Sequence, residues 1–257
     1  MAIFTAIAAA IGLTGFFATA FVTLASIATS IGLSYAAKAL AGNKQTPAAA
    51  VDHFSVQGAL QTSGDISRSF NLGYSMTAGS LVYANTWGVF GETPNAYLTQ
   101  VIALSDLPGG TIVEVWINGE LCTLGGSPDS DKGYPVTQYN KDGADHLWIK
   151  YYDGTQTTAD SFLTGTVSSV DRPWESTRVG TGIAYAICTS LVEDTLFTGF
   201  PTFKCALSGV ALYDPSKDST NGGSGAHRYS DRTTWGGDGD KLPAVQIYNI
   251  LRGFSYG

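Results

Sequence analysis

The chain has 257 residues, which is enough for one large domain or two small ones. Hydrophobic residues make up 44% of it and charged residues only 14%, against about a quarter in an ordinary soluble protein. We therefore expect partners or lipid to cover much of its surface. The net charge of −7 argues against stable binding to nucleic acid, which favours a basic face. An acidic wall that DNA slides past and ordinary solubility are both compatible with that charge.

The N-terminal stretch is apolar throughout. Residues 1–37 contain no Asp, Glu, Lys, Arg or His, and the first charge is Lys38. The run is long enough to cross a bilayer as a helix, and it lacks the basic start of a secretory signal. Its apolar residues recur at alternating steps of four and three, as in a heptad seam. Two interpretations stay open: a transmembrane helix, or a helix that bundles with its own copies or inserts into a partner's apolar channel.

These patterns define the N-terminal part of the predicted domain organisation. We predict an apolar helix over residues 1–42 and a linker over residues 43–52, where Pro47 stops any helix. The predicted helix-bundle interface consists of apolar residues along the seam: Phe17, Phe21, Leu24, Ala28, Ile31 and Tyr35.

Residues 53–257 show short apolar runs separated by glycine-rich turns, which is typical of β-strands. The strongest signal is a hairpin, because the strand-like residues 112–117 and 120–124 flank Asn118 and Gly119. We predict an α+β fold that is mainly β, with the long apolar helix before the β-rich body. The other predicted strands cover residues 54–60, 80–84, 97–104, 146–152, 182–191 and 203–213.

Two stretches rich in Gly, Asp, Ser and Asn are predicted to be loops. They cover residues 127–133 and 214–239, and the second is long enough to be functional or disordered. Residues 243–251 suit a short helix with proline in its first turn.

The three cysteines are Cys122, Cys188 and Cys205, an odd number with no CxxC pair. We expect buried free thiols, since two of them lie in apolar strand-like runs. A bridge between Cys188 and Cys205 would require neighbouring strands to bring them together.

Catalytic signals are weak. The sequence has no HExxH, GxSxG, Walker or dinucleotide-binding motif. His53, His146 and His227 have no metal-ligand spacing. Residues 129–133 begin like a calcium loop but place Asn140 where such loops need Glu, so an acidic turn is preferred. We predict no catalytic residue, no metal site, no cofactor and no enzymatic activity.

Other residue types leave two hypotheses open. Glu114 and Glu175 could pair in space as the carboxylates of a cryptic hydrolase, although the sequence shows no nucleophile–base pairing. The tryptophans could form a sugar-binding platform, but core or interface packing is their more common use. The tryptophans are Trp87, Trp116, Trp148, Trp174 and Trp235.

Several segments resemble, in their order along the chain, the hub or tip attachment proteins of long-tailed phages and gene transfer agents. The most specific is residues 209–215 (GVALYDP), which matches the family's G-x-x-φ-Y-D-P turn. Residues 234–237 and 243–251 resemble the family's W-x-G … N-P-A helix, with Leu242 in place of the Asn. The other similar segments are the apolar run 4–36 and residues 80–88, 93–106, 182–186 and 197–201.

The resemblance implies a homotrimeric hub in the virion, at the tail tip, where a β-barrel-like, tail-tube-like domain helps to close the tail tube. It implies an inserted β subdomain over about 118–180 within the body. The implied partners are the distal tail protein ring, the tape measure protein, other tail-tip proteins and the host cell envelope, with DNA only in passage. Family members run longer, so we expect a truncated or partly ordered product.

Within this interpretation the N-terminal helices either bundle in the tail lumen or reach the host membrane during DNA ejection. The alternative is a membrane-anchored β-rich carbohydrate-binding module.

Overall fold

The computed structural model describes residues 69–197 and 199–253. The chain divides into two compact units. Within the described ranges, the smaller unit comprises Thr86–Leu98 and Ser190–Pro201. The larger unit comprises residues 69–85, Thr99–Thr189 and residues 202–253.

A four-stranded sheet lies in the larger unit. Its order is β1 (Tyr74–Thr77), β11 (Phe203–Ser208), β4 (Thr111–Ile117) and β5 (Glu120–Cys122). All its neighbouring strands run antiparallel, and a bulge interrupts the register of β11 and β4. The sheet is therefore built from strands that lie far apart in the sequence.

The hairpin between β4 and β5 confirms the prediction made from Asn118 and Gly119. Ile117 pairs with Glu120, so the turn between the two strands consists of Asn118 and Gly119 alone. Both have positive φ, 54° at Asn118 and 88° at Gly119, as the type I′ turn requires. Asn and Gly are the residues that adopt this backbone most readily.

A five-stranded sheet has the order β2 (Ser80–Phe90), β3 (Thr93–Ser105), β10 (Ala184–Leu191), β9 (Leu147–Tyr152) and β6 (Tyr134–Pro135). All eight residues of β10 are buried, as expected for a central strand covered on both faces. A two-stranded sheet joins β7 (Asn140–Lys141) to β8 (Ala144–Asp145). The strands predicted over 80–84, 97–104, 146–152 and 182–191 fall on β2, β3, β9 and β10.

The α-helix α1 spans Pro243–Arg252 and begins with the predicted proline in its first turn. It packs on a small apolar core formed by Leu107, Val210, Leu212 and Val245, with Leu72 half-buried beside them. The remaining helical segments are a π-helical turn at Leu163–Val167 and 3-10 turns at Thr137–Tyr139, Pro215–Lys217, Arg232–Thr234 and Asp238–Lys241.

The predicted fold class is wrong in two respects. The β-barrel-like body is not found, because the described strands form three separate sheets whose outer strands do not pair with each other. The alternation of apolar residues locates strands, but it does not say which strands pair. The long apolar helix is also not supported: α1 is short, and the predicted helix over 1–42 lies outside the described residues, as does the linker over 43–52.

Among the residues that the structure describes, no helix is both long and apolar enough to cross a membrane. The predicted insertion over 118–180 stays a prediction. Cys122, Cys188 and Cys205 are all buried free thiols, as predicted. Burial raises the pKa of Cys205 to about 12 and that of Cys188 well above its ordinary value, so both stay protonated.

Candidate functional site

The long loop after β11 and the helix α1 meet at Tyr213, which is fully buried. Its hydroxyl donates a hydrogen bond of 2.7 Å to Oδ2 of Asp218. We call the group of buried and half-buried polar residues around it the Tyr213 cluster. Its members are Tyr213, Asp214, Asp218, His227, Asp240 and Asn249.

Asn249 attaches the loop to α1. Its side-chain Oδ1 accepts a hydrogen bond from the backbone N–H of Tyr213 at 3.2 Å, and its Nδ2 donates to the carbonyl oxygen of Tyr213 at 2.8 Å. Nδ2 also donates to the carbonyl oxygen of Val245 one helical turn earlier. Asn249 and Tyr213 are both fully buried, and buried backbone groups need hydrogen-bond partners. The Asn249 side chain provides these partners, as a neighbouring strand would do in a sheet.

Asp218 is the charged centre of the cluster. Its Oδ1 accepts hydrogen bonds from the hydroxyl and the backbone N–H of Thr220 and lies 3.3 Å from an Nη of Arg228. The Thr220 hydroxyl, the Tyr213 hydroxyl and Arg228 together lower the pKa of Asp218 to about 2. Burial, together with the same contact to Asp218, raises the pKa of Tyr213. Asp218 is therefore a carboxylate throughout the ordinary pH range.

His227 is buried, and its two ring nitrogens have different roles. Nδ1 accepts a hydrogen bond from the backbone N–H of Asp214 at 3.1 Å, so it carries no proton. Nε2 must then hold the proton of the neutral ring, which it donates to the carbonyl oxygen of Gly236 at 3.2 Å. The ring thereby connects the start of the loop to its end.

Asp240 completes the cluster from the segment before α1. Its Oδ1 accepts from the backbone N–H of Leu212 at 2.9 Å. Burial raises the pKa of Asp240, and the hydrogen bond from Leu212 partly offsets that rise. His227 and Asp240 thus bond to backbone groups of the loop, whereas Asp218 bonds mainly to other side chains. Together these contacts hold the loop in place.

No group of three or more His, Cys, Asp or Glu side chains that could hold a metal ion occurs within the described ranges 69–197 and 199–253. Asp129, at the start of the calcium-like segment, accepts hydrogen bonds from the backbone N–H groups of Asp131 and Lys132 and pairs with the Lys132 ammonium at 2.8 Å. The preferred prediction of an acidic turn is confirmed there.

The other predicted candidates lie apart from the cluster. The seam residues from Phe17 to Tyr35 and also His53 lie outside the described residues. Glu114 accepts from the indole N–H of Trp116, and Glu175 accepts from the Thr177 hydroxyl, so each carboxylate bonds to a residue two positions along the chain. A pairing of Glu114 with Glu175, which the sequence left open, is not among the contacts of the described residues.

The tryptophans do not share one environment. Trp148 and Trp174 are buried, and Trp174 meets the Tyr83 ring edge-on at 5.1 Å. Trp87 stacks on Tyr97 in the smaller unit. These contacts match core packing, the more common use of the residue.

Sequence reasoning missed the cluster residues Asn249 and Asp218, and also Arg228, which pairs with Asp218. A signal for the loop was present, however, because it repeats an Asp-x-Ser/Thr pattern. In three such triplets the aspartate side chain accepts from both the backbone N–H and the hydroxyl of the third residue. The triplets begin at Asp214, Asp218 and Asp231.

One apolar surface lies next to the cluster, on α1. Val245 and Asn249 of this helix are buried, whereas four large apolar residues at or near it are 47–82% exposed. We call these four the α1 apolar face: Leu242, Ile247, Ile250 and Leu251.

Comparison with known proteins gives little further identification. No family model matches the chain, and no curated protein matches it. Among solved structures, it is similar to a chain from the virion of a native gene transfer agent (GTA) particle, with 14% identity and a TM-score of 0.37. The match covers 74% of this chain and spans 39% of that chain. At this level the likeness carries no conclusion about function.

Proposed function

We propose that this chain is a structural component of a phage-like virion and acts at the tail tip as a homotrimeric hub. In that role it would help to close the tail tube and open for DNA ejection. Its proposed partners are the distal tail protein ring, the tape measure protein, other tail-tip proteins and the host cell envelope. The support comes from the sequence segments that resemble such hubs and from the surface of the larger unit.

The observation that carries the proposal is the α1 apolar face. Ile247, Ile250 and Leu251 are spaced three and four residues apart, so they project from one side of the helix. Leu251 is 82% exposed, and Leu242 adds a further apolar side chain just before the helix. Single exposed apolar residues are ordinary, but a contiguous group marks a surface that another protein covers.

The segments that carry the family resemblance also meet in this part of the structure. Residues 209–215 contain Tyr213, and residues 243–251 contain Asn249, which binds the Tyr213 backbone. Trp235, in the third segment, contacts Tyr213, with the centres of the two rings 5.8 Å apart. If this chain and the tail-tip hubs share a fold, the same segments should contact each other in both. The contacts between the segments therefore support the resemblance more than any one segment does.

The test is to locate the chain in particles. Cells that carry the gene would be induced to release particles, with an epitope inserted in the full chain at the exposed Gly222. We expect the epitope in the purified particle fraction and immunogold label at one end of each tail. Absence of the chain from particles would contradict a virion role, and label along the tail or on the capsid would contradict the tip.

A pair of variants tests whether the α1 apolar face is an assembly contact. Leu251→Ser, on the α1 apolar face, should lower incorporation into particles because it removes apolar area from the proposed interface. Val113→Ser is the matched control, since Val113 is also an exposed apolar residue but lies on β4. Equal incorporation of both variants would show that the face is not an assembly contact.

The N-terminal seam enters the proposal as the trimer contact. Phe21→Lys should prevent trimers of the full chain, because an unpaired charge in a buried interface costs several kcal/mol. Thr23→Lys places the same charge off the seam and serves as the control. Light scattering of the detergent-solubilised full chain would give the oligomeric mass of each variant. If Phe21→Lys still forms trimers, the seam is not the trimer contact.

A further inference from the structure

A small cleft in the larger unit lies where the end of α1 meets the turn after β3. It has a volume of about 170 Å³, and the described residues that line it include no carboxylate. Two arginines and one tryptophan provide its polar and aromatic wall, and small or apolar residues provide the rest. The lining residues are Pro108, Gly109, Val210, Ala211, Arg232, Trp235 and Arg252.

Arg252 is held in the cleft by aromatic rings. Its guanidinium carbon lies 4.5 Å from the centre of the Trp235 ring, 4.7 Å from that of Tyr229 and 5.7 Å from that of Tyr213. Such contacts orient a guanidinium through the ring quadrupoles while leaving its charge without a counter-ion. No ion pair of Arg252 occurs among the described residues.

Two positive charges line the cleft. Arg252 supplies the first. Its Nε is buried, so a ligand in the cleft would meet the Nη groups of its guanidinium. Arg232, whose guanidinium carbon lies 5.6 Å from the centre of the same Trp235 ring, adds a second positive charge. The cleft therefore concentrates positive potential between low-dielectric walls.

We propose that this cleft is a carboxylate-binding site, with Arg252 as the bidentate donor and Arg232 as the supporting charge. The edge of a guanidinium presents two parallel N–H donors, which match the two oxygens of a carboxylate. Pro108, Val210 and the Trp235 ring accommodate the apolar stem that carries the carboxylate. The assignment stands independently of the proposed virion role.

The walls favour a carboxylate over a phosphate. Apart from the two guanidiniums, the one side-chain donor in the lining is the Trp235 indole, and its N–H is already bonded to the carbonyl oxygen of Arg228. The backbone N–H of Gly109 is likewise used, by the carbonyl oxygen of Asp153. The two oxygens of a carboxylate match the two N–H groups on one edge of a guanidinium, and its hydrocarbon stem meets the apolar part of the lining.

The test uses the indole N–H of Trp235 as a reporter in NMR spectra of the full chain, assigned with Trp235→Phe. Sodium propionate is titrated at constant ionic strength, with propionamide as the uncharged control of the same shape. We expect a saturable shift of the Trp235 signal with propionate, with a dissociation constant on the order of millimolar, and none with propionamide. No saturable shift, or an equal one with propionamide, overturns the proposal.

Variants assign the shift to the cleft. Arg252→Met should weaken propionate binding at least about tenfold, and Arg252→Lys should weaken it less because the charge remains without the two-donor edge. Arg178→Met is the matched control, since Arg178 also lies over a tryptophan, Trp174, at 5.8 Å. If Arg252→Met does not fold, as the other indole signals would show, Arg232→Gln takes its place with a smaller expected loss. Unchanged affinity in the folded cleft variants overturns the proposal.

Two further titrations separate the ligand sources. Inorganic phosphate that saturates the site where propionate does not would overturn the carboxylate assignment. The blocked tripeptide acetyl-Gly-Asp-Gly-amide tests a carboxylate carried by a protein chain. Binding of the tripeptide at least as tight as that of propionate supports a site for an acidic side chain, and tighter binding of propionate supports a site for a free acid.

Discussion

In the four-stranded sheet, backbone pairing and apolar burial hold the strands together, whereas the Tyr213 cluster in the same unit depends on side chains that bond to backbone. Ile117 and Leu207 of the sheet are buried apolar residues beside backbone ladders. Tyr213 pairs with none of the described strands, and Asn249 bonds to both its backbone N–H and its carbonyl oxygen. A sheet thus distributes its stability over many similar contacts, while the cluster concentrates it in a few residues that nothing else replaces.

The largest effect is expected in the sheet. Ile117→Ala should lower the free energy of unfolding of the full chain by about 4 kcal/mol, because it leaves a cavity at a fully buried position. Val113→Ala on the same strand is the control and should cost about 0.5 kcal/mol or less, since Val113 is exposed. Urea unfolding followed by tryptophan fluorescence gives both values. If both variants lose a similar amount of unfolding free energy, burial of apolar residues does not hold this sheet together.

The cluster should be nearly as sensitive at one polar residue. Asn249→Ala should cost about 3 kcal/mol, because it leaves the buried N–H and C=O of Tyr213 without partners. Leu251→Ala, on the exposed side of the same helix, should change stability far less in the same urea titration. If the two variants unfold at the same urea concentration, the side-chain bonds do not hold the loop.

A smaller effect tests the hairpin turn that ends β4. Gly119→Ala should cost about 1 kcal/mol, because φ at Gly119 is 88° although nothing lies within 4 Å of the added methyl group. Gly126→Ala is the matched control, since its methyl group also meets nothing and its backbone lies outside the left-handed region. Thermal unfolding of both variants would isolate the cost of backbone conformation. Equal melting temperatures would contradict a strained turn.

The smallest effect appears in acid and concerns Asp218. Its pKa is about 2 in the folded chain, below its ordinary value of 3.8, so its stabilising contribution is complete above pH 3.8 and is lost as the pH falls towards 2. Asp218→Asn cannot take up this proton. The stability difference between wild type and variant should therefore shrink as the pH falls from 3.8 to 2, as measured by urea unfolding at each pH.

Thr220→Val refines the acid experiment. It removes the hydroxyl donor that contributes most to the low pKa of Asp218 and leaves the Tyr213 and Arg228 contacts. We expect part of the change in pH dependence seen with Asp218→Asn. A stability difference between Asp218→Asn and wild type that stays constant down to pH 2 would mean that Asp218 gains nothing from its ionised form on folding.

The sequence predicted the parts of the fold that depend on neighbouring residues. The Asn118–Gly119 turn, the strands β2, β3, β4, β9 and β10 and the proline-initiated α1 follow from local backbone preferences and from short apolar runs. Predicted strand 203–213 ends instead at Ser208, because Tyr213 bonds to Asn249 and no described strand pairs beyond that point. The strand β1 and the short strands β6, β7 and β8 were missed, because two to four residues carry too little periodicity.

By itself the sequence determined that the body is mainly β, that its cysteines are buried thiols and that a long polar loop separates its last strand from α1, because each of these depends on residues close together in the chain. The tertiary structure alone decided that β11 lies between β1 and β4, that Asn249 meets Tyr213 and that Arg252 lies between Trp235 and Tyr229. These contacts join residues that are distant in sequence. Their partners are selected by packing in three dimensions, which local patterns do not encode.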